Sequence, residues 1–345
     1  MALLDLFTHP IIQGPTAGGS NTPGQVAAVS NAGALGSLAA SMLTLDAIRN
    51  QVAEIRRLTN KPFMLNFFVQ HVPSPTEQDV ERGIGYLRPI WASLGWSELP
   101  RPAKWCEDFN AQFELLLELK PPVASFTFDI LKAEQVQRLH NAGIVVIGTT
   151  TTVDEALAWE AAGADAVVAS GVESGGHRGT FIGDQTAATL GAVELLKATV
   201  AAVNIPVISA GNVMTGADIK ARLALGASAV QMGTAFLVAD ESGIHPAYKA
   251  RLLNPGDTPT RLTRSFSGRY ARGLENRFMK TMTEVETQVP AYPVQNALTG
   301  SIRAEAGKRG DTELMSLWCG TGVARARAMA AGKLVETLVA EMQQA

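Results

Sequence analysis

Ile144-Val-Val-Ile-Gly-Thr149, Thr152-Val-Asp-Glu-Ala-Leu-Ala-Trp-Glu-Ala-Ala162 and Ala166-Val-Val-Ala-Ser170 follow one another with little between them. The outer two are short apolar runs rich in β-branched residues. The middle one opens on Thr and Asp and carries an alanine-rich face, so the stretch predicts strand, helix, strand. Neither apolar run alternates with polar residues, as a strand with one wet face would. Both are therefore expected to be covered on both sides, as in a parallel sheet with helices outside it. Working outward, similar runs recur at Pro10–Pro15, Ala34–Ala39, Phe63–Phe68, Val123–Phe128, Pro206–Gly211 and Ala229–Thr234. The total is eight, the number that closes a barrel, so the predicted fold class is α/β, a (β/α)8 TIM barrel. The helical stretch Thr215–Leu225, ending at Gly226, fits the same rhythm because glycine is a natural C-cap.

Two places break that rhythm. Between Val69 and Lys120 lie Val72-Pro-Ser-Pro75 and an aromatic, proline-containing segment with Trp91, Trp96, Pro100, Pro102 and Trp105. This is too long for one crossover helix, and 69–120 is expected to be an insertion over the barrel mouth. From Ala239 onward the strand pattern stops. Helix and loop are expected through Ser265–Met279 and Tyr292–Ala345, which gives a barrel over 1–238 and a mainly helical, substrate-side lobe and tail over 239–345. No solenoid-length repeat or low-complexity tract is visible.

Composition narrows the class of partner. The 345 residues are 46% hydrophobic and 18% charged, enough for a sizeable core. A net charge of -3, a pI near 6.0 and no run of Lys or Arg lack the electrostatic footprint of a nucleic-acid or anionic-membrane binder. A small-molecule partner is expected. Cys106 and Cys319 lie far apart without C-x-x-C spacing, so neither a disulfide framework nor a zinc site is indicated, and a reducing, cytoplasmic setting fits. The first residues show no basic region or cleavage site, and no window reaches ~18 unbroken apolar residues, so neither secretion nor membrane spanning is expected. Oligomeric state is left open, with a homodimer as one candidate.

The glycines gather after predicted strands, where a barrel places its ligand-binding loops. They stand in Ser170-Gly-Val-Glu-Ser-Gly-Gly-His-Arg-Gly-Thr180, Ala210-Gly-Asn-Val-Met-Thr-Gly216 and Gly233-Thr-Ala-Phe236. Glycine lets backbone N–H groups approach an anion closely, and barrels commonly seat a phosphate after strands seven and eight. A phosphate is therefore placed near Gly211, Asn212, Gly233 and Thr234. His177 follows two glycines at the end of a core strand. It suits a general base near neutral pH, and equally a loop cap or a phosphate contact. Glu173 and Arg178 either tune it or form a loop ion pair. His9, His71, His140 and His245 are assigned structural roles, with some suspicion kept for His71 at the mouth of strand three. Asn66 is an amide inside Met-Leu-Asn-Phe-Phe. A ring edge with alternating donors and acceptors would satisfy it, and so would a neighbouring strand. Ser170 and Gln231 hold similar strand-end positions. No His/Asp/Glu cluster has metal-ligand spacing, and no nucleophile elbow, Walker loop or dinucleotide fingerprint is present.

Four segments together give the chain a family likeness: Pro10-Ile-Ile-Gln-Gly-Pro-Thr-Ala-Gly18 with Thr22–Gly36; Gly171–Phe181; Gly226–Phe236; and Tyr292-Pro-Val-Gln-Asn-Ala-Leu-Thr299 continuing to Met315-Ser-Leu-Trp318. On these, the chain resembles the bacterial class I nitronate monooxygenases. The second and fourth segments are specific to that family, while the third is similar to barrel flavoproteins more widely. The resemblance implies non-covalent FMN and oxidation of alkyl nitronates, such as propionate 3-nitronate, by O₂ to a carbonyl compound and nitrite, a detoxification. It implies that His177 is a catalytic base or positions substrate, and that Asn66 contacts the flavin. It also implies that Gly175, Gly176, Gly211, Asn212, Gln231, Met232, Gly233 and Thr234 hold the cofactor phosphate, and that Tyr292 and Lys308 line the substrate pocket. Three positions depart from the family pattern. Thr16, beside Ala17 at the flavin, replaces a Met; Ser170 replaces a Gln; Asn212 replaces a Gly. The alternatives are an FMN-dependent NAD(P)H:quinone or enoyl-thioester reductase, and a phosphate-binding regulatory barrel without redox chemistry.

Overall fold

The computed structural model describes residues 2–345. In chain order its strands are β1 (Ile11–Gln13), β2 (Gly36–Ala39), β3 (Phe63–Phe68), β4 (Val123–Thr127), β5 (Val145–Thr150), β6 (Ala166–Ser170), β7 (Gly176–His177), β8 (Val207–Ala210), β9 (Ala229–Met232), β10 (Thr260–Thr263) and β11 (Ala271–Leu274). Eight of them form one parallel sheet in the order β1-β9-β8-β6-β5-β4-β3-β2. The ends meet at an Ile12–Leu35 bridge, where Gln13 N–H donates to Leu35 O at 2.9 Å and Leu35 N–H to Ile11 O at 3.0 Å. All eight predicted runs are strands of this closed barrel.

Two-sided apolarity is what the barrel requires of each strand. Val145 and Ile147 of β5 and Ala166 and Val168 of β6 point inward with Ile12, Leu35 and Met64. Their neighbours Val146, Val167 and Ala169 face outward into the helix layer with Val136, Leu139 and Leu195. Gly148 lets Trp159 pack directly on the backbone, since a Cβ there would sit 2.2 Å from the indole. Helix Val153–Ala162 starts as predicted at Thr152, whose hydroxyl accepts from Glu155 N–H, and ends at Gly163 with φ of 95°.

Strand character returns beyond Ala239, contrary to the expectation of helix and loop. β10 and β11 pair antiparallel, and β7, which leaves the loop after β6, adds to β11 with His177 opposite Ala271. Thr-Arg-Leu-Thr and Ala-Arg-Gly-Leu are short and interrupted by arginine, so they carry no apolar run to read. Within 69–120, helix Phe109–Leu119 is the crossover and packs on the barrel coat. Its Gln112 amide donates to Leu43 O at 3.0 Å and Ser41 O at 3.2 Å. Helices Glu77–Tyr86 and Arg88–Ser93 instead share a second core with the tail, where Val80, Ile90 and Trp91 meet Phe278, Leu298 and Ile302. The last helix, Ala331–Gln344, returns to the barrel and packs on helices Pro23–Asn31 and Gly216–Ala224, joining a third core through Leu334, Val335 and Leu338. Among the described residues no helix is long and apolar enough to cross a membrane, and no cluster of His, Cys, Asp and Glu could hold a metal ion.

Candidate active site

A cavity of about 380 Å³ opens at the C-terminal ends of the barrel strands, within the size range of small-molecule and cofactor pockets. It has two walls. One is the barrel mouth, with Thr16, Ala17, Asn66, Ser170, Gly211, Asn212, Gln231, Met232, Gly233 and Thr234 all on its lining. The other comes from the tail and includes Tyr292, Arg303 and Trp318, with Gly175, Gly176 and His177 at the seam between them.

The barrel wall offers backbone donors and open space. Gly211 (φ of 116°) and Asn212 (φ of 55°) both turn through the left-handed region directly after β8. Asparagine is among the few side-chain-bearing residues that tolerate this, so Asn212 keeps the backbone shape a glycine would give. Among the described residues, the N–H groups of Gly211, Asn212 and Gly233 donate to no protein acceptor. Orphan donors of this kind fit a phosphate. Asn66, 2% exposed, donates its amide to Ser125 Oγ at 3.0 Å, while its Oδ1 accepts nothing from the described residues and is free to meet a ligand donor. The hydroxyls of Thr16 and Ser170 are both bonded within the cavity wall. Thr16 Oγ1 is bonded by Ser20, and Ser170 Oγ donates to Ser174 Oγ at 3.0 Å. The departures at Thr16 and Ser170 are thus absorbed by local partners, and the residues present fit an FMN-sized, phosphate-bearing cofactor.

His177 is held on the small sheet, inside an aromatic box. Phe128, Trp318 and Tyr292 lie 5.5, 5.6 and 5.7 Å from its ring, centroid to centroid. Its Nε2 lies 2.8 Å from Ser267 Oγ, which in turn lies 2.9 Å from Arg269 O. A serine has a single proton, and a carbonyl can only accept. Ser267 therefore donates to Arg269 and accepts from His177, which places the imidazole proton on Nε2 and leaves Nδ1 as the basic atom. Among the described residues Nδ1 has no partner. Burial first, and then the Arg269 and Arg303 guanidinium groups, push the His177 pKa down to about 3, so the ring is neutral at physiological pH. Burial likewise holds the Tyr292 phenol protonated, well above its ordinary range.

Other predicted roles change once the side chains are placed. Lys308 is 76% exposed, pairs with Glu305 at 3.6 Å, and does not line the cavity. Arg303, one turn earlier on the same helix, lines it instead. Glu173 and Arg178 make no ion pair. Glu173 accepts from Ala192 N–H at 2.9 Å at the start of a helix, and Arg178, 2% exposed, donates to the carbonyls of Ser170, Gly171 and Ala188. His245, not His71, reaches the cavity edge. Phe128, Arg303 and Ser267 escape a reading by motif. Arg303 had one usable signal, a charge lying among Leu298, Thr299, Ile302 and Ala306, all buried on the inner face of two successive helices.

Known proteins share this arrangement. A family model described as nitronate monooxygenase matches residues 1–341. A probable nitronate monooxygenase of Bacillus subtilis is 39% identical over 92% of this chain and 91% of its own length. One from Staphylococcus aureus is 38% identical over 97% and 95%. Among solved structures, the nitroalkane oxidase of Streptomyces ansochromogenes superposes with a TM-score of 0.92 at 43% identity, covering 100% of this chain and 98% of that one. FabK of Thermotoga maritima is more distant, with a TM-score of 0.77 at 29% identity over 99% and 94%. A match that runs through barrel, small sheet and tail alike extends to every element bordering the cavity, and this chain belongs to the nitronate monooxygenase family, a family of oxidoreductases.

Proposed function

We propose that the protein binds FMN non-covalently at the barrel mouth and oxidises alkyl nitronates with O₂ to a carbonyl compound and nitrite. The observation that carries this is the meeting, in one cavity, of unpartnered N–H donors at Gly211, Asn212 and Gly233 with a neutral His177 whose Nδ1 is free. When bound, FMN supplies the electron transfer and the reaction with O₂. Phosphate would rest on the loops after β8 and β9, extended by Gly175, Gly176 and Gln231 to Thr234, with Asn66 at the ring edge. The protein's own residues do the rest. The aromatic box of Phe128, Trp318 and Tyr292 excludes water and fixes His177, and Tyr292 lends a hydroxyl to the substrate. Where the substrate arrives as a neutral nitroalkane, Nδ1 of His177 takes its α-proton. Two free cysteines accord with a reducing, cytoplasmic setting.

The test is spectroscopic. Purified protein should show oxidised flavin absorbance that is lost anaerobically on adding an alkyl nitronate, with nitrite and carbonyl compound appearing when O₂ is admitted. Fast bleaching by NADPH together with indifference to the nitronate would move the assignment to the nicotinamide-dependent reductase.

A further inference from the structure

Three arginines stand around the cavity, Arg178 buried and Arg269 and Arg303 half-buried, and they are not alike. Arg178 is held by backbone carbonyls of Ser170, Gly171 and Ala188. Arg269 is held by carbonyls of Arg178 and Thr180 and lies 4.3 Å over the Phe128 ring. Both are tied down as structural braces, and neither lines the cavity. Arg303 does line it. Only its Nη2 is engaged, with Asn296 O at 2.8 Å and Asn296 Oδ1 at 3.1 Å. Its Nε is buried without a partner, and among the described residues Nη1 has no acceptor and no carboxylate pairs with the group. Burial pulls its pKa down to about 10, so it stays charged at neutral pH.

A cation half withdrawn from water without a counter-ion is costly, and it is suited to a ligand that supplies the missing charge. Nη1, without a protein acceptor on a guanidinium that has no carboxylate beside it, presents charge-assisted N–H donors to a group that spreads one negative charge over two oxygens. We propose that Arg303 is the receptor for the substrate's anionic –NO₂ group, and thereby the residue that selects charged nitronates over neutral nitroalkanes. This names the substrate contact of the function proposed above and rests on it. The same donors accept nitrite, so product binds where substrate does. An anion at Arg303 also offsets one of the two cations that face His177, so its arrival makes Nδ1 more basic; Arg269, held by carbonyls, stays as the other. Tyr292, held protonated by burial, and Asn296 are the polar neighbours of Arg303 and carry no charge at neutral pH.

The experiment titrates sodium nitrite into FMN-loaded protein and follows the flavin spectrum, then measures steady-state kinetics with a nitronate and its parent nitroalkane. Losing a charge-assisted contact should weaken nitrite binding and raise the nitronate KM by about tenfold or more in Arg303→Gln. The nitroalkane KM and the FMN affinity should change little. Arg303→Lys should recover part of the nitrite binding, which separates loss of charge from loss of packing. In Arg303→Gln the His177 ring should titrate at a higher pH by NMR, a readout independent of turnover. If wild type oxidises nitronates while Arg303→Gln keeps wild-type nitrite affinity and nitronate KM, the receptor assignment is overturned and the activity stands. If wild type is inert toward nitronates but Arg303→Gln loses nitrite binding, the activity falls and the receptor stands.

Discussion

The two walls of the cavity are built on opposite plans. The barrel wall is mostly backbone: glycine turns and strand ends deliver N–H groups with few side chains in the way. The tail wall is side chain, a cation held by Asn296 and aromatic rings, and it meets at the seam an imidazole oriented by Ser267, ninety residues away. A backbone wall binds whatever carries the right anion and tolerates change in its side chains. A side-chain wall chooses the substrate and is sensitive to single atoms.

The seam between them should be the most sensitive point. A Cβ on Gly175 would lie 2.4 Å from the carbonyl carbon of Cys319 and 2.5 Å from Gly320 N, backbone against backbone with nothing free to move. Gly175→Ala should therefore cost about 3 kcal/mol or more and abolish flavin retention, read by thermal melting and by absorbance. Gly233→Ala, on the barrel wall, is the contrasting case. Its nearest neighbour would be Thr16 Cγ2 at 3.8 Å, so the fold should keep its melting temperature while the new methyl group, projecting beside the phosphate loop, lowers FMN affinity. Equal destabilisation of both variants would break the two-wall description.

Next in size is the imidazole. His177→Asn keeps polarity but removes the basic Nδ1, and turnover of a neutral nitroalkane should fall by about 10²–10⁴-fold while preformed nitronate loses far less. Full activity on both substrates would rule out the base assignment. Ser267→Ala removes the acceptor that pins the tautomer. It should cost about 1 kcal/mol, a fivefold change, on the same nitroalkane reaction.

Much of the barrel wall was legible because its signals are local. Apolar runs covered on both faces announce strands, and glycines clustered after them announce ligand loops, so Gly211, Asn212 and Gly233 could be placed near one another without coordinates. The tail wall resisted. β10 and β11 have no apolar run, and the role of Ser267 depends on pairing β11 with a two-residue strand ninety-odd positions earlier. Lys308 and Arg303 stand on one helix, and only its rotation, set by Ile302 and Ala306 in the second core, decides which cation faces inward. Linear spacing does not encode that rotation when several cations share a helix.

The pH response separates the walls again. The His177 pKa is depressed to about 3 from 6.5, so the unfolded chain binds this proton more tightly than the folded one. Its contribution to stability is fully present above pH 6.5 and drains away as pH falls from 6.5 toward 3. Thermal melts should show that decline in wild type, and His177→Asn should flatten it. For the same reason kcat/KM for a nitroalkane should show no acid limb from this ring between pH 5 and 8. A limb near 6.5 that His177→Asn abolishes would mean the ring is solvated and the tail wall open.

The smallest effect is expected at Asn212, where the barrel wall uses a side-chain-bearing residue at a glycine's conformation. With φ of 55°, alanine should cost about 1 kcal/mol through strain between Cβ and backbone, whereas glycine removes the strain altogether. Glycine, however, also removes Oδ1, which accepts from Arg325 at 2.8 Å on an exposed guanidinium, a contact worth little in water. Asn212→Gly should therefore stay within a few tenths of a kcal/mol of wild type and keep FMN affinity, with Asn212→Ala the less stable of the two. The backbone would then be the functional part of this position and the amide only its tolerated passenger. If Asn212→Gly instead lost flavin while keeping its melting temperature, the amide itself would be a ligand, and this corner of the barrel wall would have to be counted with the side-chain wall opposite.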